Sequence, residues 1–139
     1  MKRLLALLLI LTNFLFLVGC ATKIKDDFSV VTHIEITKYR TVWEEGDTEK
    51  ILASVKLDKK EDSEDIEHIC ENLASLSLEK MNGNKPTMLE YTLVFYNYHR
   101  EIQTISITAH GWIDYDGDFH TVEDGTLDLE YIDALLDSN

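Results

Sequence analysis

The sequence predicts an α+β fold: a mainly antiparallel sheet with one central helix and a short C-terminal helix packed on one face, a two-layer sandwich. Three observations predict it. Segments with an apolar residue at every second position recur along most of the chain. One mid-chain segment switches to the 3.6-residue rhythm of a helix. The links between alternating segments are short and rich in turn residues, so successive strands should pair as hairpins.

The elements follow in order. Residues 28–37, FSVVTHIEIT, place Phe28, Val30, Ile34 and Ile36 on one face and read as a strand; YRTVW, 39–43, continues it or pairs with it. EEGDT, 44–48, is a turn. KILASVKL, 50–57, is a second strand carrying Ile51, Ala53, Val55 and Leu57 on one side. In KKEDSEDIEHICENLASL, Asp62 or Ser63 can cap a helix. Glu64, Asp65 and Glu67 put negative charge where the helix dipole favours it. Ile66, Ile69, Cys70, Leu73 and Leu76 supply its apolar stripe. NGNKP, 82–86, is a loop. MLEYTLVFY, 88–96, and EIQTISITAH, 101–110, form a hairpin about a turn near Asn97–Arg100. GWIDY and DFHTV flank Asp116-Gly117, and a final helix near 128–137 offers Leu129, Ile132, Leu135 and Leu136 as its buried side.

The first twenty residues state an address. Lys2 and Arg3 are followed by an apolar run from Leu4 to Val18, then by Gly19, Cys20 and a polar stretch. Crossing a bilayer takes about 20 apolar residues, so this run is short for a span and suits the core of a signal peptide. Leu17-Val18-Gly19-Cys20 resembles the lipobox of bacterial lipoprotein precursors. The resemblance implies a diacylglyceryl group on the Cys20 sulfur and cleavage before Cys20, and it covers residues 1–20 only. Residues 1–19 are then a cleaved signal, 20–27 a lipidated N-terminus and tether, and 28–139 a single extracytoplasmic domain held at the cell membrane. Lys23 and Lys25 follow the anchor, where each cation near an anionic surface contributes about 1 kcal/mol. In length, composition and strand–helix–strand order the remainder is similar to small lipoproteins of Gram-positive bacteria, a resemblance that carries no functional residue with it.

Removing the leader leaves 120 residues with 11 basic against 26 acidic, a net charge of −15. Such a domain repels nucleic-acid phosphates. From Glu101 onward there are ten acids and no Lys or Arg. That asymmetry suits a cationic partner, whether a basic protein, a peptide or Ca²⁺, or solubility alone. Cys20 is taken by lipid, which leaves Cys70 alone; on the apolar side of its helix it reads as a small buried hydrophobe.

The segment 114–124, DYDGDFHTVED, is the one stretch patterned like a metal loop. Counted from Asp114, the positions that an EF-hand gives to Gly and Glu hold Phe119 and Gly125. Asp116-Gly117 between alternating segments instead marks a type I′ hairpin turn, with calcium held by Asp114, Asp116 and Asp118 as the minor alternative. In that register His120 faces Ile113 and His110 faces Glu123. His33, His68, His99, His110 and His120 lack the spacing of a zinc helix. No catalytic residue, metal ligand set or cofactor is expected. Tyr39, Trp43, Tyr96, Tyr98, Trp112 and Tyr115 suit strands as well as a binding platform. The expected function is non-catalytic binding by a membrane-anchored domain. The alternatives are an exported immunity or inhibitor protein that neutralises a basic toxin, and a calcium-binding or hydrolytic protein using residues 114–124.

Overall fold

The computed structural model describes residues 21–24, 26–42, 48–83 and 88–138. Cys20, Lys25, Trp43 and most of the 44–48 turn lie outside the described residues, as do residues 84–86 of the predicted loop. The chain runs β1 (Thr22–Lys23), a 3₁₀ turn (Phe28–Val30), β2 (His33–Val42), β3 (Thr48–Asp58), α1 (Ser63–Ser75), β4 (Ser77–Lys80), β5 (Leu89–Asn97), β6 (Arg100–Thr108), β7 (Ile113–Tyr115), β8 (Asp118–Asp124) and α2 (Leu129–Asp137). Among the described residues the strands form one sheet in the order β1-β4-β8-β7-β6-β5-β2-β3, every pair antiparallel.

This corrects the expected fold class. The chain does not build a sandwich around a central helix. It builds an eight-stranded antiparallel sheet with two short helices, strand taking about half of the described residues and helix about a quarter. The reason is one of hydrogen bonds. A helix satisfies its own backbone, whereas every strand edge needs a neighbour. Two segments too short to show alternation, β1 and β4, extend the sheet beyond what the pattern reveals. α1 buries only Ile66, Ile69, Cys70 and Leu73 within its 13 residues, so it covers part of the sheet and organises none of it.

The alternation itself sorts the strands' two faces. Ile34 and Ile36 of β2, Val55 and Leu57 of β3, and Tyr91, Leu93 and Phe95 of β5 point inward. Ile105 and Ile107 of β6 and Ile113 and Tyr115 of β7 join them. Ile132 and Leu136 of α2 and the four α1 residues complete the same cluster. Glu35, Thr37, Thr92, Val94, Thr104, Ser106 and Asp114 fall on the opposite, partly exposed face. At the far edge β3 carries a bulge: Lys38 pairs with Ala53 and Tyr39 with Ile51, so Leu52 is the extra residue. Ile51 and Leu52 are both exposed there. A bulge twists an edge strand and makes it a poorer template for another chain.

Asp116 and Gly117 have φ of 54° and 78°, as a type I′ turn requires. The hairpin pairs Ile113 with His120, while His110 precedes β7 and so is not set against Glu123. The predicted strand from Phe28 begins only at His33. The Asp27 carboxylate accepts hydrogen bonds from both the N–H and the hydroxyl of Ser29, and this local capture curls 28–30 into a 3₁₀ turn. Residues 20–27 are not a free tether throughout: Thr22 and Lys23 pair with Leu78 and Ser77, and Ile24 is 5% exposed within the core. Asp62 stands at the α1 N-cap position without capping it. Its carboxylate accepts the Asp58 N–H at 2.8 Å instead.

Candidate functional site

The segment 26–29 runs beside α1, and the two enclose an open groove of about 470 Å³. Ser63, Ile66, Glu67, Cys70, Glu71 and Ala74 line the helix side, one stripe of the helix at its three- and four-residue spacing. Asp26, Phe28 and Ser29 form the opposing wall, and Lys59 closes one end. The wall is held at three points. Ile24 is buried just before it, Phe28 packs on Phe95 with ring centroids 5.0 Å apart, and the Lys59 ammonium donates to the Ser29 carbonyl at 3.2 Å.

The groove has an apolar floor and an acidic rim. Phe28, Ile66, Cys70 and Ala74 supply the first; Asp26, Glu67 and Glu71 supply the second, against Lys59, the single cation among the described lining residues. Burial pushes the Cys70 thiol up to about 12, so it is inert floor and no nucleophile. Asp26 is the chemically distinctive member. Burial first, and the nearby Asp116 second, raise its carboxyl above the ordinary range, while a hydrogen bond from Tyr115 works against them. Its Oδ2 is buried without a hydrogen-bond partner. A half-satisfied buried carboxylate costs stability, and such groups call for an explanation beyond folding.

The residues singled out by sequence disperse. Asp114 lies opposite Phe119 and Asp118 opposite Tyr115, which places these two acids on opposite faces of the hairpin. Asp118 bonds Lys80 at 2.6 Å. Asp116 sits in the turn beside Asp26. Among the described residues no group of three or more His, Cys, Asp or Glu side chains is arranged to hold a metal ion. His120 is 4% exposed with Nδ1 unpaired. His33 stacks on Tyr96 at 4.4 Å, and burial, then Lys56, hold its pKa down. Tyr115 is buried and Tyr98 exposed, so these two described aromatics do not share one platform.

Two further constellations are accounted for by docking of α2. His68 Nε2 lies 3.1 Å from Asp128 Oδ2, and the His68 ring packs on Tyr131. The other Asp128 oxygen caps α2 at the Tyr131 N–H, and the Tyr131 hydroxyl donates to Asp65. Lys38 and the Tyr91 hydroxyl both donate to Asp133 Oδ1. These groups join helix to helix and helix to sheet. The groove was missed in the sequence because its walls are 34 or more residues apart along most of their length; the one signal available was an acid, Asp26, just ahead of an apolar Phe28. No protein family matches the chain, and no curated protein or solved structure does so either.

Proposed function

We propose that this protein is a lipid-anchored extracytoplasmic binding domain, non-catalytic, whose groove between segment 26–29 and α1 takes a basic, apolar-flanked segment of a partner protein. The observation that carries this reading is Asp26: a partly desolvated carboxylate with one oxygen unpaired, beside an apolar floor and two further acids. A lysine or arginine of the partner pairs with the carboxylates of Asp26, Glu67 and Glu71 along the rim, and its alkyl stem covers Phe28 and Ile66. The fold supports the groove over the acidic C-terminal third as the docking surface. Asp118, Asp128 and Asp133 of that third are paired with Lys80, His68 and Lys38.

The test uses an N-acetylated, amidated Leu-Arg-Leu peptide and its uncharged Leu-Gln-Leu twin, titrated while methyl and aromatic NMR signals of Ile66 and Phe28 are followed. The arginine peptide should shift these signals at several-fold lower concentration, and added salt should weaken it. Asp26→Asn should abolish the difference between the twins. Equal titration of both peptides, or shifts confined to residues remote from α1, would rule the groove out. Intact mass of the membrane-extracted protein tests the anchor separately: a diacylated Cys20 as the N-terminus is expected.

A further inference from the structure

Given the anchor proposed above, we infer that the domain stands on edge on the bilayer, with β1 and β4 at the lipid surface and β3 farthest from it, so that strand order becomes height above the membrane. Cys20 is one residue from Ala21, and the next residue, Thr22, is already hydrogen-bonded in the sheet against Leu78. The slack between lipid and fold is therefore about two residues, at most ~7 Å. A tether of seven residues would span some 25 Å and leave orientation open. The antiparallel register carries Ala21 past Leu78 toward Glu79 and Lys80, so the anchor leaves the fold along the outer side of β4.

Charge decides how the domain leans from that point. The side of the sheet that carries α1 presents Glu64, Glu67 and Glu71, all exposed. The opposite side presents Asp114 and Glu79, with Glu35 paired to Lys56 at 3.6 Å. Laying either broad side on an anionic leaflet brings carboxylates to it, and the net charge of the mature chain opposes both. The edge itself offers Lys23, exposed beside the anchor. Strands lie about 4.8 Å apart, so seven intervals put β3 roughly 34 Å from β1, somewhat less after sheet twist. The exposed Ile51 and Leu52 then sit at the outermost rim.

The experiment takes the full chain, expressed and extracted from membranes, in a Cys70→Ala background. Single cysteines at Glu79, Glu101 and Ser54 (β4, β6 and β3) are labelled with a donor fluorophore. Each protein is reconstituted in vesicles of mixed zwitterionic and anionic phospholipid bearing an acceptor on the headgroup. Energy transfer should fall in the order Glu79→Cys, Glu101→Cys, Ser54→Cys, the last below about half of the first given heights differing by roughly 29 Å. A flexible Gly/Ser insert between Ala21 and Thr22 should flatten this ladder. Equal transfer at the three positions, a reversed order, or a ladder indifferent to the insert overturns the orientation while leaving the anchor intact. An intact mass without lipid on Cys20 overturns the anchor and the orientation together.

Discussion

Burial and the neighbouring Asp116 both disfavour the charged form of Asp26, so the folded chain binds a proton there more tightly than the unfolded chain does. The sign follows from linkage. A carboxyl raised on folding costs stability above its folded pKa, and the cost disappears below the unfolded value of 3.8. Asp26→Asn should therefore raise the melting temperature at neutral pH by a few degrees, roughly 1 kcal/mol after allowance for partial exposure. That gain should shrink to nothing as pH falls below 3.8. A pH-independent gain, or none, would show that the carboxylate is not desolvated as described. Under the binding role proposed for the groove, the same substitution removes a carboxylate that would face the partner's cation, so stability and binding should move in opposite directions. Tyr98 offers a second single-residue test. It has φ of 54° at the β5–β6 turn with its side chain 74% exposed, a backbone state that costs a bulky residue about 1 kcal/mol or more. Asparagine tolerates that state, and Tyr98→Asn should stabilise by roughly 0.5–1 kcal/mol in urea unfolding.

At the scale of elements, α2 is held by polar groups as much as by its apolar side. Asp133 receives Lys38 at 2.7 Å and the Tyr91 hydroxyl at 2.9 Å, while Lys38 lies 5.1 Å from the Tyr91 ring centre. The hydrogen bond to Asp133 holds the Lys38 ammonium protonated above the usual lysine range. Tyr91 is 2% exposed, so removing its acceptor strands a buried hydroxyl. Asp133→Ala should cost about 1–2 kcal/mol, discounted for the partial exposure of the ion pair. In a double-mutant cycle Tyr91→Phe should relieve part of that loss, with a coupling of at least ~0.5 kcal/mol. Strict additivity would mean that the three groups do not act as a unit. At the other end of α2, the hydrogen bond with His68 lowers the Asp128 carboxyl below its ordinary value, helped by the Tyr131 N–H. That contribution is complete above pH 3.8 and is lost as pH falls through the lowered value.

For the whole molecule, residues 22–24 are part of the fold and not an appendage to it. Ile24 belongs to the core, and Ile24→Ala should destabilise the entire domain by about 2–4 kcal/mol, read as a lower urea midpoint at unchanged slope. A drop below about 0.5 kcal/mol would mean that β1 detaches freely and that the short slack between lipid and sheet is fictitious. Because the chain enters the sheet at β1, passes along α1 as a groove wall, and then starts β2, the stretch from Thr22 to His33 links sheet edge, groove and core.

Local pattern carried much of this. The 3.6-residue stripe of α1, the Asp116-Gly117 turn with His120 set against Ile113, and the alternation of β5 depend on neighbours within a few residues, so they are legible one residue after another. The tertiary structure alone decided the eight-stranded sheet and the groove. β1 and β4 are too short to show a period and become strands only because a partner edge is waiting for their backbone groups. Asp26 became a distinctive carboxylate only when folding placed Tyr115 and Asp116 beside it and took water from one oxygen. Hydrophobic periodicity is a property of the chain; desolvation and edge pairing are properties of which distant segments meet.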